Sequence, residues 1–232
     1  TEGPAPFLEA GFRDRFTSIS LFTGKPARQA VQEGYADFIP VFLSDIPSLF
    51  RNGNIRLDAA LLQVSPPDRH GFCSLGTSVD SARAAADSAP ILIAEINRQM
   101  PRTHGDSMVP MSSFAACFES DRPLYEHHVS AETPVEAAIG EQIAQLIEDG
   151  STLQTGVGAI PAAVLARLGN KTDLGVHSEM FYDGVVDLVN AGVITNRLKR
   201  IYPGQIVTSF VTGSRRLFDF VDDNPQVAFL PC

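Results

Sequence analysis

The sequence contains no tryptophan and only three cysteines, Cys73, Cys117 and Cys232, in 232 residues. The cysteine count is odd, and neither a Cys-x-x-Cys pair nor a cysteine with a suitably spaced histidine is present. A disulfide framework and a zinc ribbon are therefore not expected, and a reducing compartment is the natural setting. Cys73 has only Arg69 and His70 as nearby cations, so a structural thiol is favoured over a reactive one.

Basic residues and long apolar runs are also scarce. There are 18 lysines and arginines against 27 aspartates and glutamates, which gives a formal net charge of −9. A general nucleic-acid binder would have the opposite balance. No apolar run approaches the roughly 20 residues of a membrane-spanning helix, and the first residues do not show the order of a signal peptide. The sequence therefore predicts a cytoplasmic protein without nucleic-acid or membrane partners.

The composition and the two ends bear on domain organisation. Hydrophobic residues make up 44% of the chain, which excludes wholesale disorder, and the length suits one large domain or two small ones. The chain starts without methionine and ends on an apolar, strand-like run, residues 226–232. Because a strand at a free end needs a neighbour to pair with, we expect a segment of a longer protein. The alternative is a natural terminus with a docked last strand.

Predicted strands alternate with predicted helices along the whole chain. The predicted strands are residues 36–43, 58–65, 90–97, 152–157, 174–177, 205–211 and 227–230. The predicted helices are residues 26–34, 44–50, 81–89, 134–150, 161–168, 184–190 and 214–221. This alternation with short loops predicts an α/β fold with mostly parallel sheets flanked by helices. The polar stretch 119–133 has no clear period and is the predicted linker between two α/β units.

Two of these helices have predicted N-terminal caps. Ser44 is the expected N-cap of the second helix. Thr133 and Glu136 have the spacing of a capping box, with Pro134 at the first helical position and Gly150 as the expected end. The apolar stripe of that helix is formed by Val135, Ile139, Ile143 and Leu146.

Parallel sheets bind ligands at the carboxyl ends of their strands, and four segments follow predicted strands. The first is the small-residue turn 155–161, where backbone N–H groups at a helix start favour negative charge. The full nucleotide-binding pattern is missing, because Pro161 occupies the place of its third glycine. A tight turn between strand and helix is the alternative interpretation.

The second segment brings His177, Ser178 and Glu179 to the end of a strand. Glu179 precedes the apolar pair Met180 and Phe181, so its carboxylate is expected to be partly desolvated, which strengthens a nucleophile or raises its pKa. Neighbouring strand residues point to opposite faces, so only His177 and Glu179 can share one. The alternatives are that Ser178 caps the next helix or that Glu179 pairs with an arginine.

The third and fourth segments are loops with polar residues. In the loop 65–76, Asp68 and His70 are candidate metal ligands, but no third ligand is near them in sequence and a rigid pocket wall is favoured. In the loop 97–105, basic side chains suit an anionic substrate, with a solvated loop as the alternative. These basic residues are Arg98, Arg102 and His104.

Together the segments resemble the acetyl-CoA hydrolase/transferase family of CoA-transferases, which includes 4-hydroxybutyrate, acetate and butyrate CoA-transferases. The resemblance rests on order and spacing and covers nearly the whole chain. Its motifs are RQAVQEGYADFIPVFLSDIPSLF, QVSPPDRHGFCSLG, NRQMPRTHGDS, GVGAIP and GVHSEMFYDG, followed by GVITN and DFVDDNP. The family's chains are longer at both ends, and its Gly-rich CoA-binding segment would lie beyond residue 232. The resemblance therefore implies that this chain holds half of the pocket.

The resemblance also implies a fold and a set of site residues. It implies two similar α/β domains with the active site between them, here residues 1–125 and the first part of a second domain, 134–232. Glu179 would be the catalytic glutamate that carries CoA as a glutamyl thioester. The residues implied to contact CoA are Gly156, Val157, Gly158, Ala159 and Ile160, with the N–H of Val157 or Gly158 helping to stabilise the oxyanion. The substrate-pocket candidates are Pro66, His70, Asn97, Met100, Arg102, His104, His177 and Met180.

The function implied is transfer of CoA between an acyl-CoA and a small carboxylic acid of the acetate, butyrate or 4-hydroxybutyrate class. CoA would be a substrate, with no metal and no permanently bound cofactor. The expected partners are acyl-CoA, small carboxylic acids and a second copy of the chain in a homodimer. The alternatives are an acetyl-CoA hydrolase that uses the same Glu179 and a non-catalytic CoA-binding half-domain.

Overall fold

The computed structural model of the chain describes residues 5–12, 14–127 and 131–231. The helices are α1 (Lys25–Gln32), α2 (Ile46–Arg51), α3 (Asp80–Ser88), α4 (Pro134–Leu146), α5 (Ala159–Leu165), α6 (Asp183–Asn190) and α7 (Arg215–Val221). The strands are β1 (Ser18–Ser20), β2 (Ala36–Phe38), β3 (Ala60–Val64), β4 (Phe72–Ser74), β5 (Leu92–Asn97), β6 (His104–Gly105), β7 (Met108–Pro110), β8 (Phe114–Ser120), β9 (Thr152–Leu153), β10 (Gly175–Val176), β11 (Met180–Phe181), β12 (Ile206–Thr208), β13 (Phe210–Val211) and β14 (Val227–Phe229). Each predicted helix and each predicted strand overlaps an observed element of its type, which confirms the α/β class. Cys232 and residues 128–130 of the predicted linker lie outside the described residues.

Strand pairing is mostly parallel, as predicted. One parallel sheet has the order β3-β5-β8, and a second has the order β12-β14-β6. β10 pairs with β9, and an isolated parallel bridge between His177 and Val207 connects the end of β10 to β12. The pairs β1-β2 and β11-β13 are also parallel, whereas β4-β7 is antiparallel. The strands around residues 177 and 207 therefore bring their carboxyl ends to one edge.

The strand β6 links the two halves of the chain. His104 and Gly105 pair with Ala228 and Phe229 of β14, so the first half adds a strand to the sheet of the second half. Glycine is needed at 105, because its φ is +104° and a Cβ would lie 2.2 Å from the carbonyl oxygen of Phe229. One cluster of buried apolar side chains includes both Val64 and Phe229. The division into residues 1–125 and 134–232 stays a prediction.

Several strands were not predicted. β1, β4, β6 and β7 have only two or three residues, which is too short for a period to be visible. β8 is an edge strand that is exposed over most of its length, and it was not predicted although its first five residues are apolar. Its last two residues, Glu119 and Ser120, were assigned to the linker. The missed strands therefore include the exposed edge strand β8 and several short strands, among them the buried two-residue strand β11.

The predicted capping box at the start of α4 is confirmed. The N–H of Glu136 donates to Thr133 Oγ1 at 3.3 Å, and the N–H of Thr133 donates to Glu136 Oε2 at 2.6 Å. The helix ends at Leu146, before the expected Gly150. The cap predicted at Ser44 is not observed, because a 3₁₀ turn, Leu43–Asp45, precedes α2 and no side chain caps it.

The packed face of α4 differs from its apolar stripe. Gly140 and Ala144 are buried, whereas Val135 and Leu146 are 68% and 81% exposed. A Cβ at residue 140 would lie 2.8 Å from the carbonyl carbon of Ala163, so α4 and α5 approach each other closely at this glycine. The face with small residues is buried because it lets the two helices approach closely. Hydrophobic periodicity did not predict this, since it identifies the face with the large apolar side chains.

Two further observations concern predictions about compartment and thiols. Within residues 5–12, 14–127 and 131–231, no helix is long and apolar enough to cross a membrane. Cys73 is fully buried, and burial raises the pKa of its thiol to about 11. A thiol with that pKa stays protonated near neutral pH, in agreement with the structural role expected for it. Cys117 is free and exposed.

Candidate active site

A cavity of about 420 Å³ lies at the carboxyl ends of the second-half strands. Its walls are residues 177–179 after β10, residues 207–209 at the end of β12, and residues 230–231 after β14. Residues 42–44 from the first half of the chain close another side. The cavity therefore forms where the carboxyl-end rule for parallel sheets places a ligand, and it uses both halves of the chain.

Glu179 has a fixed backbone and a free side chain. Its carbonyl oxygen accepts hydrogen bonds from the N–H of Ser209 at 2.9 Å, the N–H of Phe210 at 3.1 Å and the hydroxyl of Thr208 at 3.2 Å. Its side chain is exposed and lines the cavity. Among the described residues, no arginine, lysine or hydrogen-bond donor contacts the carboxylate, so the alternative of an arginine pair is not found. The backbone of Glu179 is held in place, and its carboxylate is open to a ligand.

The expected desolvation of Glu179 by its apolar neighbours is wrong. Met180 and Phe181 are 2% and 0% exposed and belong to the hydrophobic core. Alternation along the strand sends these neighbours inward and leaves the glutamate outside. Met180, a pocket candidate, is thus a core residue.

Ser178 ties the end of β10 to the small-residue turn. Its hydroxyl accepts from the N–H of Thr155 at 3.0 Å and donates to the carbonyl of Thr155 at 3.0 Å. Thr155 Oγ1 also donates to the carbonyl of Met180 at 3.2 Å. Ser178 therefore does not cap the next helix, and its hydrogen bonds hold the turn that follows Thr155 beside the strand of Glu179.

The turn is open toward solvent. Gly156 and Gly158 are exposed, and Val157 and Ile160 are 63% and 41% exposed. Gly158 has a φ of +127° and precedes Ala159, the first residue of α5. Within the part of the chain that the structure describes, the N–H groups of residues 156–158 donate no hydrogen bond. They are available to an external acceptor.

His177 lines the same cavity as Glu179. Its ring meets that of Tyr202 edge to face, with centroids 6.3 Å apart. Burial, and then the charge of Lys199, lower the pKa of His177 below its ordinary value. The imidazole is therefore neutral near neutral pH and has one nitrogen that can donate and one that can accept.

Two candidates from the basic loop lie elsewhere. Arg102 pairs with Asp68 at 2.8 Å and with Asp223 at 3.5 Å, and His104 Nε2 lies 3.0 Å from Asp223. Because β6 runs parallel to β14, the residues before β6 lie at the amino end of that sheet, opposite Glu179. The structure therefore does not bring Arg102 or His104 to the cavity, and the carboxylates of Asp68 and Asp223 neutralise the charge of Arg102.

The remaining candidates from the first half are also outside the cavity walls. Met100 is buried and packs against Gly76, and Asn97 is fully buried with its amide donating to the carbonyl of Arg122 at 2.9 Å. Pro66 and His70 are exposed. In the described residues no three His, Cys, Asp or Glu side chains form a group that could hold a metal ion.

Sequence reasoning missed several cavity residues. Thr208 ends β12, Ser209 follows it and Leu230 follows β14, but the predicted strands 205–211 and 227–230 extended over these residues, so the carboxyl-end rule did not select them. Phe42 and Leu43 were placed inside the predicted strand 36–43, whereas the observed strand β2 ends at Phe38 and pairs in a different sheet. Only the folded chain brings them opposite Glu179.

Comparison with known proteins identifies the family. Residues 4–136 match the family model of the acetyl-CoA hydrolase/transferase N-terminal domain, which is more than half of the chain. The chain belongs to the acetyl-CoA hydrolase/transferase family. This confirms the resemblance drawn from the motifs.

Relatives in this family are CoA transferases. The chain is 52% identical over 228 residues to the succinyl-CoA:acetate/propanoyl-CoA:succinate CoA transferase of Fasciola hepatica, covering 98% of this chain and 47% of that protein. It is 48% identical over 225 residues to the 4-hydroxybutyrate coenzyme A transferase of Clostridium kluyveri, covering 97% of this chain and 52% of that protein. The chain spans about half the length of these curated relatives.

A solved structure in the family has the same fold. The 4-hydroxybutyrate CoA-transferase of Porphyromonas gingivalis matches with a TM-score of 0.83 and 38% sequence identity, over 98% of this chain and 60% of that chain. The α/β arrangement of mostly parallel strands is therefore that of CoA-transferase structures.

Proposed function

We propose that this chain takes part in moving CoA between an acyl-CoA and a small carboxylic acid of the acetate, butyrate or 4-hydroxybutyrate class. Glu179 is the residue that carries CoA, as a glutamyl thioester. The observation that carries the proposal is the free carboxylate of Glu179 in a cavity, on a backbone fixed by three hydrogen bonds. The CoA-transferase relatives support the reaction class.

The proposed reaction conserves the thioester. The Glu179 carboxylate attacks the acyl carbonyl, the C–S bond breaks, and CoA thiolate leaves behind a mixed anhydride. The thiolate attacks the glutamyl carbonyl of that anhydride, and the acid departs as a carboxylate, so CoA is now bound to Glu179. A second carboxylate attacks the glutamyl thioester, and the released thiolate attacks the new acyl carbonyl. Acyl-CoA and the Glu179 carboxylate are restored.

Neighbouring groups support this chemistry. Each attack creates an oxyanion, and one preorganised N–H donor is worth about 3–4 kcal/mol to such a transition state. The N–H groups of Val157 and Gly158 are the proposed donors, because they donate no hydrogen bond within the described residues and Ser178 and Thr155 hold their turn beside the strand of Glu179. Gly156, Ala159 and Ile160 complete the proposed contact with CoA. A neutral His177 adds no charge that would compete for the thiolate.

The proposal includes the setting of the reaction. CoA and the two acids are the partners, no resident cofactor takes part, and a homodimer in the cytoplasm is the proposed form. Two α/β units, residues 1–125 and 134–232, face each other across the cavity. This arrangement is supported by the cavity walls, which come from both halves of the chain.

Trapping the thioester tests the proposal. After incubation with acetyl-CoA, the intact mass should rise by that of CoA minus water, and borohydride should reduce the thioester to an alcohol. Glu179→Gln should form no adduct, because an amide does not attack as a carboxylate does. Glu179→Asp should be slower by about 10²-fold, since one methylene withdraws the nucleophile by about 1 Å. Glu148→Gln, at an exposed glutamate outside the cavity, is the matched control and should react normally.

Two results would contradict the assignment. An adduct that persists in Glu179→Gln, or one that maps to Cys73, would remove Glu179 from the reaction. CoA that binds without forming any adduct would favour the non-catalytic binding role.

The exposure of Glu179 also favours a second function, hydrolysis of acetyl-CoA at the same residue. Water that reaches a glutamyl thioester releases CoA and regenerates the carboxylate, so a transferase must exclude it. The Glu179 side chain is exposed in this chain. Release of free CoA without any acceptor acid, abolished by Glu179→Gln, would identify the hydrolase. Release that requires an acceptor acid would identify the transferase.

A further inference from the structure

Phe42 is an apolar side chain with an unusual position. It is 79% exposed and lines the same cavity as Glu179, on the wall contributed by the first half of the chain. Its carbonyl accepts the N–H of Asp45 at 2.9 Å and so begins a 3₁₀ turn, while its own backbone is extended, with φ −70° and ψ 144°. The turn thus fixes the backbone, and the phenyl ring has most of its surface free.

The walls of the cavity differ in polarity. The walls nearest the reacting group carry the polar side chains of His177, Glu179, Thr208 and Ser209. Val207, between them in the sheet, is only 4% exposed and has little surface to offer. An acyl chain whose carbonyl carbon is at Glu179 therefore finds most of its available apolar surface on the first-half wall.

We infer that Phe42 determines acyl-chain preference at this site by providing the surface on which the methylenes of the acyl group pack. This inference rests on the proposed function and names a specificity residue for it. Other apolar residues of the cavity, Leu43, Leu230 and Pro231, are half-buried, so Phe42 has the larger exposed fraction to cover.

Exposure decides whether Phe42 excludes long chains or attracts them. A ring with 79% of its surface free is not clamped by neighbours, so it can move aside and does not act as a rigid barrier. It can still cover a ligand, and each methylene removed from water is worth about fourfold in affinity. Two methylenes separate butyryl-CoA from acetyl-CoA, so the contact should favour butyryl-CoA by about sixteenfold.

The test compares binding of acetyl-CoA and butyryl-CoA by titration calorimetry in the Glu179→Gln background, where no chemistry occurs. Phe42→Ala should reduce the ratio of butyryl-CoA to acetyl-CoA affinity by about sixteenfold, with acetyl-CoA binding changed by less than about threefold. Phe42→Leu should reduce the ratio of butyryl-CoA to acetyl-CoA affinity by less than Phe42→Ala does, because leucine retains an apolar side chain. Phe118→Ala is the matched control, because Phe118 is 57% exposed on β8 and does not line the cavity. Its ratio should not change.

Three outcomes would overturn the inference. If Phe42→Ala lowers the affinity for both thioesters equally, Phe42 contacts the pantetheine arm that they share. If Phe42→Ala raises the affinity for butyryl-CoA, the ring is a barrier to longer acyl chains. No binding of either thioester would remove the site altogether. The adduct experiment on Glu179 is separate. An adduct with an unchanged ratio rejects only Phe42, whereas a reduced ratio without any adduct rejects only the transfer chemistry.

Discussion

Lys199 is a buried cation whose removal should reshape the pH dependence of stability. It is 6% exposed, and its Nζ donates to the carbonyls of Val176 at 2.7 Å and Gln205 at 2.6 Å. Among the described residues no carboxylate forms an ion pair with it. Burial lowers its pKa from the ordinary 10.5 to about 8. The Lys199 ammonium is therefore buried near His177, and its desolvation lowers the free energy of unfolding.

The sign and size of the effect follow from this pKa. The folded state loses the proton near pH 8, whereas the unfolded chain keeps it until about 10.5. Between these values the unfolded state binds more protons, so the free energy of unfolding rises with pH. A difference of about 2.5 units at 1.36 kcal/mol each gives an upper limit of about 3 kcal/mol. Below pH 8 both states are charged, and this contribution is constant.

The substitution Lys199→Met removes the titration and leaves the backbone carbonyls of Val176 and Gln205 without their donor, which costs about 1–3 kcal/mol for each. We expect urea unfolding at pH 7, 8, 9 and 10 to show a stability gap between wild type and variant that widens as the pH rises. Lys171→Met, at a half-buried lysine with no ion pair in the described residues, is the control and should keep the wild-type slope. Equal slopes for wild type and Lys199→Met would refute the reasoning.

Two further substitutions test the packing and the charges of the fold. Gly140→Ala gains about 1 kcal/mol of helix propensity, but its Cβ would lie 2.8 Å from the carbonyl carbon of Ala163. We therefore expect a net loss of about 1–3 kcal/mol in thermal unfolding, and a raised Tm would contradict the packing argument. Glu95 accepts hydrogen bonds from Arg122 at 2.5 and 2.7 Å and from Ser120 at 2.7 Å, and Arg122 is the main cause that lowers its pKa to about 2. Glu95→Gln should cost about 1–3 kcal/mol at pH 7. Because the folded pKa is depressed, the wild-type advantage should disappear as the pH falls from about 4.5 to 2, and acid-unfolding curves that do not converge would reject this account.

Local sequence determined the features whose partners are close along the chain. Thr133 and Glu136 form their capping box because one helical turn brings them together whatever surrounds the helix. The strand β10, which precedes Glu179, was also predicted from local sequence. A short apolar run between turn residues forms a strand in most contexts. Parallel topology then placed His177 and Glu179 at one end of the sheet without any long-range information.

Only the tertiary structure decided which surfaces meet. The apolar stripe of α4, which includes Val135 and Leu146, is exposed because the close approach of α5 at Gly140 buries the small-residue face instead. Arg102 was predicted at the substrate site, but it lies at the opposite end of the sheet, where it pairs with Asp223, a residue distant in sequence. Phe42 lines the cavity because the folded chain brings residues 42–44 of the first half against the strand ends of the second half. Period and propensity describe one element at a time, whereas packing and ion pairing depend on which elements the folded chain brings into contact.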